Sequence, residues 1–216
     1  MARISPTSQP SNPPPRGSPR FLLISAILAG LVILGTGAFL ALTLRETPRG
    51  AAGMALASAI GGPFQLVDQN GKTVTEADLE GRWSLIYFGY THCPDACPTA
   101  LNDISIALSE LGPKRGAVRP VFITVDPERD TPETLKAYVT SFDAPILALT
   151  GTAEQVAKAA KNYRVYYAKH PEAGGDYSMD HSSVIYVMDP EGRFTASFTH
   201  ESAPEQIAER LKKLIG

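Results

Sequence analysis

The chain has only two cysteines in 216 residues, Cys93 and Cys97. Set four positions apart, they can form a local disulfide, a redox pair or a metal site, and little else. It also lacks a strongly basic block. Lys and Arg number 20 against 22 Asp and Glu, for a formal net charge of -2. The electrostatic footprint of a nucleic-acid binder is therefore missing, and neither DNA nor RNA is expected as a partner. No internal repeat is visible, so a single folded unit is expected.

What the chain does have is a long apolar run. No charged residue occurs from Phe21 to Leu44, and at about 1.5 Å per helical residue that run exceeds a hydrocarbon core of ~30 Å. Residues 21–44 are thus expected to form one transmembrane helix in contact with the lipid bilayer. A cleaved signal peptide is the competing reading, since small residues follow at Ala55, Ala57 and Ala59, but a signal's apolar core is only ~7–15 residues long. Arg3, Arg16 and Arg20 precede the run without any acid, which favours a cytoplasmic N-terminus. Residues 1–20, rich in Pro, Ser and Arg, read as a disordered cytoplasmic tail, and the small-residue stretch 45–60 as a linker. The folded domain is expected over 61–216, outside the cytoplasm under either reading, where oxidising conditions make cysteine chemistry relevant.

Within 61–216 a hairpin around Gln69-Asn70-Gly71 precedes a nearly continuous apolar strand, Ser84 to Gly89. A helix stripe follows at Leu101, Ile104, Leu108 and Leu111. Pro120 to Val125 reads as a second core strand. Thr131 is placed to cap a helix with Pro132 at its first position, and Ile146 to Leu149 is a third strand. Thr152 and Gln155 have capping-box spacing. A loop is expected from Lys169 to Asp180, then strand Val184 to Met188, a turn at Asp189-Pro190-Glu191-Gly192 and strand Arg193 to Phe198. Ser202 and Glu205 have the spacing to open the last helix. This order is α/β with a mixed central sheet, and it suits a thioredoxin-like domain.

Cys93 and Cys97 fall at the entrance of the first helix of this domain, where free N–H groups and the positive end of the helix dipole favour thiolates. A disulfide across one turn is sterically allowed but closes too small a loop to stabilise much. Thiolates select Cu(I), zinc or iron-sulfur clusters, and imidazole suits copper or zinc. Among the four histidines, His181 ends a loop just before a strand and can reach a neighbouring strand-to-helix turn. His92, His170 and His200 are weaker candidates, and spacing alone does not single out a ligand.

Three segments carry a resemblance: YFGYTHCPDACPTAL at 87–101, VDPERDTPETLKAYV at 125–139 and DHSSVIYVMDPEGRF at 180–194. Together, in this order, they resemble the Sco/SenC family over essentially all of 61–216. The resemblance implies a thioredoxin-like fold behind an N-terminal membrane anchor, and a metallochaperone that helps assemble the CuA centre of cytochrome c oxidase subunit II. It implies copper, as Cu(I) and also Cu(II), held by Cys93, Cys97 and His181 after supply by an upstream copper donor. Asp126 and Asp180 match acidic positions of the family's pattern and are assigned to support of the ligands, with loop capping as the alternative. Two thiolates and one neutral imidazole make a three-coordinate soft site suited to Cu(I), whereas structural zinc wants a fourth ligand.

The main alternative is a thiol-disulfide reductase, with Cys93 and Cys97 as its redox pair, that keeps the oxidase cysteines reduced. Against it stand the spacing, since the usual redox motif is Cys-x-x-Cys, and the absence of proline from 176–184, where a thioredoxin would carry one. A sensor signalling through the anchor is a third reading, disfavoured by the short tail. The expected setting is a bacterial inner membrane with the domain in the periplasm, the alternative being the mitochondrial inner membrane facing the intermembrane space.

Overall fold

The computed structural model describes residues 30–32, 34–36, 60–172 and 174–216. Contacts divide the chain into two units, Met1–Ala51 and Ala52–Gly216. In the first, residues 30–32 and 34–36 are helical. The expected tail, most of the apolar run 21–44 and nearly all of the linker lie outside the described residues, among which no helix is long and apolar enough to cross a membrane.

The second unit is built on a seven-stranded sheet. Its strands are β1 (Gln65–Asp68), β2 (Thr73–Thr75), β3 (Trp83–Gly89), β4 (Val118–Thr124), β5 (Leu147–Thr150), β8 (Val184–Met188) and β9 (Phe194–Thr199). Their spatial order is β2-β1-β5-β4-β3-β8-β9. β3, β4 and β5 are parallel, and the flanking pairs are antiparallel. The sheet is therefore mixed, with α1 (Ala96–Glu110) and α2 (Pro132–Val139) as the crossovers between its parallel strands. α3 (Ala153–Asn162) follows β5, and α4 (Pro204–Ile215) closes the chain against α1.

The central strands are apolar on both faces because both faces are covered. Leu85, Ile86, Tyr87 and Phe88 of β3 and Phe122 and Ile123 of β4 are fully buried. Truncating a ring such as Phe122 to alanine in this setting costs about 3–5 kcal/mol. The helix starts follow local chemistry. The Thr134 N–H donates to Thr131 Oγ1 at 3.2 Å, with Pro132 supplying no N–H of its own. Thr152 and Gln155 exchange both capping-box bonds, at 2.8 and 3.3 Å. The turn between β1 and β2 closes on Asp68, whose Oδ1 accepts from the N–H groups of Asn70 and Lys72, while Gly71 takes φ +80°.

Two expectations need correction. The stretch expected as a loop from Lys169 to Asp180 is mostly a hairpin, β6 (Tyr167–Pro171) paired antiparallel with β7 (Tyr177–His181) in a sheet of its own. Its turn uses Gly174 and Gly175 at positive φ, and the Glu172 N–H donates to Asp176 O at 2.8 Å. Only Met179 in it is buried, so no apolar alternation marked it as strand. The last helix begins one residue later than expected. Ala203 is its N-cap and Pro204 its first residue, while Ser202 Oγ instead accepts from the Thr199 N–H at 3.2 Å.

Candidate metal centre

β3 ends at Gly89 and the chain turns through residues 90–95 into α1. Asp95 is the N-cap but makes no side-chain cap bond. That role falls to sulfur: the Cys97 N–H, in the first turn of α1, donates to Cys93 Sγ at 3.3 Å. One of the helix's unpaired donors is thereby satisfied by a thiolate, the anion its dipole favours. Cys93 precedes the helix and is half-buried, and Cys97 is inside it and fully buried.

Gly89 makes room for the buried sulfur. A Cβ there would stand 2.7 Å from Cys97 Sγ and 2.9 Å from Phe122 Cε2, closer than real side chains approach. Only glycine allows β3 to pass beneath the thiol so closely.

His181 closes the site from the other side. It is the last residue of β7, and its Nε2 lies 3.3 Å from Cys97 Sγ. Nδ1 faces Ser182 O at 3.4 Å, an acceptor that would hold the Nδ1 proton when Nε2, the nitrogen facing the sulfurs, gives its lone pair to a metal. Tyr87 and Tyr90 hold the imidazole edge-on, with ring centroids at 5.9 and 5.8 Å. The ligand atoms of Cys93, Cys97 and His181 all lie within 4.8 Å of one another. Metal–sulfur and metal–nitrogen bonds of roughly 2.0–2.3 Å bring donors this close around one ion. Among the described residues this is the only His/Cys/Asp/Glu group of three or more so disposed, and it offers no fourth donor.

The two thiols are electrostatically unlike. The Cys97 thiol donating toward the Cys93 sulfur, with further bonds from His181 and the N–H groups of Asp95 and Cys97, holds Cys93 down to about 4 against the cost of its burial. Burial, then the neighbouring Cys93 sulfur, pushes Cys97 far up. Burial and the Cys97 sulfur also raise Tyr87. Its Oη is buried and makes no well-formed hydrogen bond among the described residues. The donor set thus fits a soft cation, which would release the second thiol proton and relieve the crowding of negative charge.

The two acids assigned to support the ligands are placed differently. Asp126 is buried, and it accepts from Tyr177 Oη at 2.7 Å and Arg129 Nε at 2.5 Å. Its carboxylate faces the hairpin, while its backbone N–H donates to Thr124 Oγ1 at 2.9 Å. Asp180 is exposed and pairs with His170 at 2.8 Å, because alternation along β7 turns it away from the face that Tyr177, Met179 and His181 share. His92 is exposed and bonded to Thr91, and neither it, His170 nor His200 joins the cysteines.

One supporting acid was missed. Asp130 is fully buried and accepts from Thr124 Oγ1 at 2.5 Å, Thr91 Oγ1 at 2.6 Å and Thr91 N–H at 3.1 Å. It ties the end of β4 to the turn that carries Cys93. The sequence signal for it is slight: an acid immediately before a helix-capping threonine. No peptide bond among the described residues is cis.

A family model described as SCO1/SenC matches residues 52–216. A mitochondrial SCO1 homolog of Arabidopsis thaliana is 43% identical over 159 residues, covering 73% of this chain and 48% of that protein. The chain thus spans about half the length of that relative. A SCO2-like protein of Rickettsia felis is 39% identical over 197 residues, 88% of this chain and 96% of that protein. Among solved structures, Bradyrhizobium japonicum ScoI with copper bound superposes with a TM-score of 0.68 at 52% identity, covering 72% of this chain and 99% of that one.

Proposed function

The chain belongs to the SCO1/SenC family, and on that footing we propose that its folded unit carries one copper ion on Cys93, Cys97 and His181 as cargo for cytochrome c oxidase assembly. The observation that carries the reading is the convergence of two sulfurs and one imidazole nitrogen within 4.8 Å, with no fourth His, Cys, Asp or Glu donor among the described residues. Such a set favours Cu(I) over structural zinc. That a relative's structure holds copper supports the choice of metal.

The destination is the CuA centre of oxidase subunit II, and an upstream donor loads the site. Transfer proceeds by ligand exchange. Cys93, half-buried, and His181 are the ligands an incoming thiolate can displace, and buried Cys97 releases last. The run 21–44 anchors the chain as a single span with its N-terminus in the cytoplasm and the domain in the periplasm. A mitochondrial inner-membrane setting is the alternative, in keeping with the plant relative.

A second reading rests on the unlike thiols. Cys93 thiolate attacks a target disulfide to form a mixed disulfide and free one target thiolate. Cys97 then loses its proton and attacks Cys93 sulfur, which frees the second target thiolate and leaves the Cys93–Cys97 pair oxidised by two electrons. This chemistry does not need His181.

The test is anaerobic Cu(I) titration of the reduced protein, wild type against His181→Ala. One copper per chain, with affinity lowered at least about tenfold by loss of the imidazole, supports the chaperone. Unchanged affinity in the variant, with active disulfide exchange, shifts the function to the reductase.

A further inference from the structure

The hairpin that delivers His181 is hydrogen-bonded to no strand of the main sheet among the described residues, so something else must fix it over the cysteines. The contacts converge on Arg129, in the loop after β4. Its Nε donates to Asp126 Oδ2 at 2.5 Å, and its Nη1 donates to Tyr177 O at 2.9 Å and Asp176 Oδ1 at 3.0 Å. The guanidinium carbon lies 3.6 Å from the centroid of the Tyr177 ring and 5.9 Å from that of Tyr90. The Tyr177 hydroxyl returns to Asp126 Oδ1 at 2.7 Å. Tyr177 is therefore gripped at its carbonyl, its ring face and its hydroxyl by one Arg–Asp pair.

Tyr177 and His181 are four residues apart on β7 and point to the same face. Fixing the first fixes the second. Lys169 adds a weaker tie, with its ammonium 3.7 Å from the Tyr177 ring centroid and 2.6 Å from the exposed Glu128 carboxylate. Arg129 differs in being mostly buried, with Nη2 fully buried and without a hydrogen-bond partner among the described residues. A planar, permanently charged fork satisfies the stack and the Asp126 bond together, which a lysine cannot do.

We propose that Arg129 is a positioning residue that sets His181 against the cysteine pair by clamping Tyr177, and so governs how firmly the site keeps its cargo. The inference rests on the copper reading of that site.

The experiment uses the reduced full chain in detergent, as wild type, Arg129→Ala, Arg129→Lys, His181→Ala and the Arg129→Ala/His181→Ala double variant. Two quantities are read: Cu(I) affinity by competition, and amide hydrogen exchange of the metal-free protein. Arg129→Ala is expected to weaken Cu(I) binding about 10- to 100-fold, the range for groups that orient a metal-bound histidine, and Arg129→Lys is expected to recover little of it. In the His181→Ala background the same substitution should add no further loss. Exchange over 167–181 should quicken while the α1 amides keep wild-type rates.

Equal losses of affinity in both backgrounds, or unchanged exchange over 167–181, overturn the proposal. If Arg129→Ala fails to fold, Tyr177→Phe removes only the Asp126 bond and should shift both readouts in the same direction, while no shift in either overturns it. If His181→Ala binds copper as wild type does, the copper reading itself fails, and the exchange data still decide whether Arg129 holds the hairpin.

Discussion

Cys97 Sγ and His181 Nε2 stand 3.3 Å apart although 84 positions of sequence separate them. Sulfur and imidazole come from different substructures: Cys97 rides on α1, planted on the core strands, and His181 ends a hairpin outside the main sheet. The site exists only when both are in place.

The first prediction concerns the unlike thiols. Cys93 is half-buried and carries its sulfur as the anion, whereas Cys97 is fully buried as the thiol. One equivalent of iodoacetamide added to the reduced, metal-free protein at neutral pH should label Cys93 at least about tenfold faster than Cys97. Peptide mapping by mass spectrometry reads the ratio, and equal labelling would contradict the arrangement.

Replacing Gly89 is the second. Gly89→Ala places a methyl 2.7 Å from Cys97 Sγ and 2.9 Å from Phe122 Cε2, between a helix and a strand that cannot both yield. The variant should lose about 1–3 kcal/mol of stability and bind copper more weakly, as Cys97 is pushed from its place. Urea unfolding and Cu(I) competition measure the two effects, and wild-type values in both would show that the close approach is unnecessary.

The third prediction is a pH dependence. Burial raises the Asp130 carboxyl above the usual carboxylate range, even though bonds from Thr124 and Thr91 oppose the shift. In the window from ~4 upward to that raised value the folded chain holds a proton that the unfolded chain has lost. This group's contribution is therefore fully present below the window and declines as pH rises through it. Asp130→Asn should remove that decline. Thermal melts of the two proteins between pH 3 and pH 7 should show the difference, and parallel curves would refute it.

Metal removal gives the fourth. A ligand that binds only the folded chain stabilises it, by about 1.4 kcal/mol for each tenfold of free concentration above its dissociation constant. Stripping Cu(I) with a strong chelator should lower the melting temperature of the wild type markedly and that of His181→Ala less. An equal fall in both would mean that the imidazole does not share in holding the ion.

Much of this architecture can be read from residues alone. Unbroken apolar runs mark β3 and β4 because both faces are covered, and Thr131, Thr152 and Gln155 cap the helices they were expected to cap. The hairpin escaped because a strand with one exposed face and few apolar residues has no period to detect. With it escaped the facing of Asp180: once β7 is a strand, Tyr177, Met179 and His181 must share a side and Asp180 must take the other. Arg129 and Asp130 were illegible for a different reason. Adjacent in sequence beside the expected Asp126, they act on partners up to 48 positions away, and pairings of that kind are set by topology rather than by local pattern.

The isolation of β6 and β7 from the seven-stranded ladder has a consequence for engineering. The third ligand can be re-specified by grafting a different hairpin between Val165 and Ser183 that keeps Tyr177 for Arg129 and Asp126 and the buried Met179, with every rung of the main ladder untouched. A family of such grafts bearing methionine, cysteine or carboxylate at position 181 would make the domain an interchangeable scaffold for comparing metal preference at constant sulfur geometry.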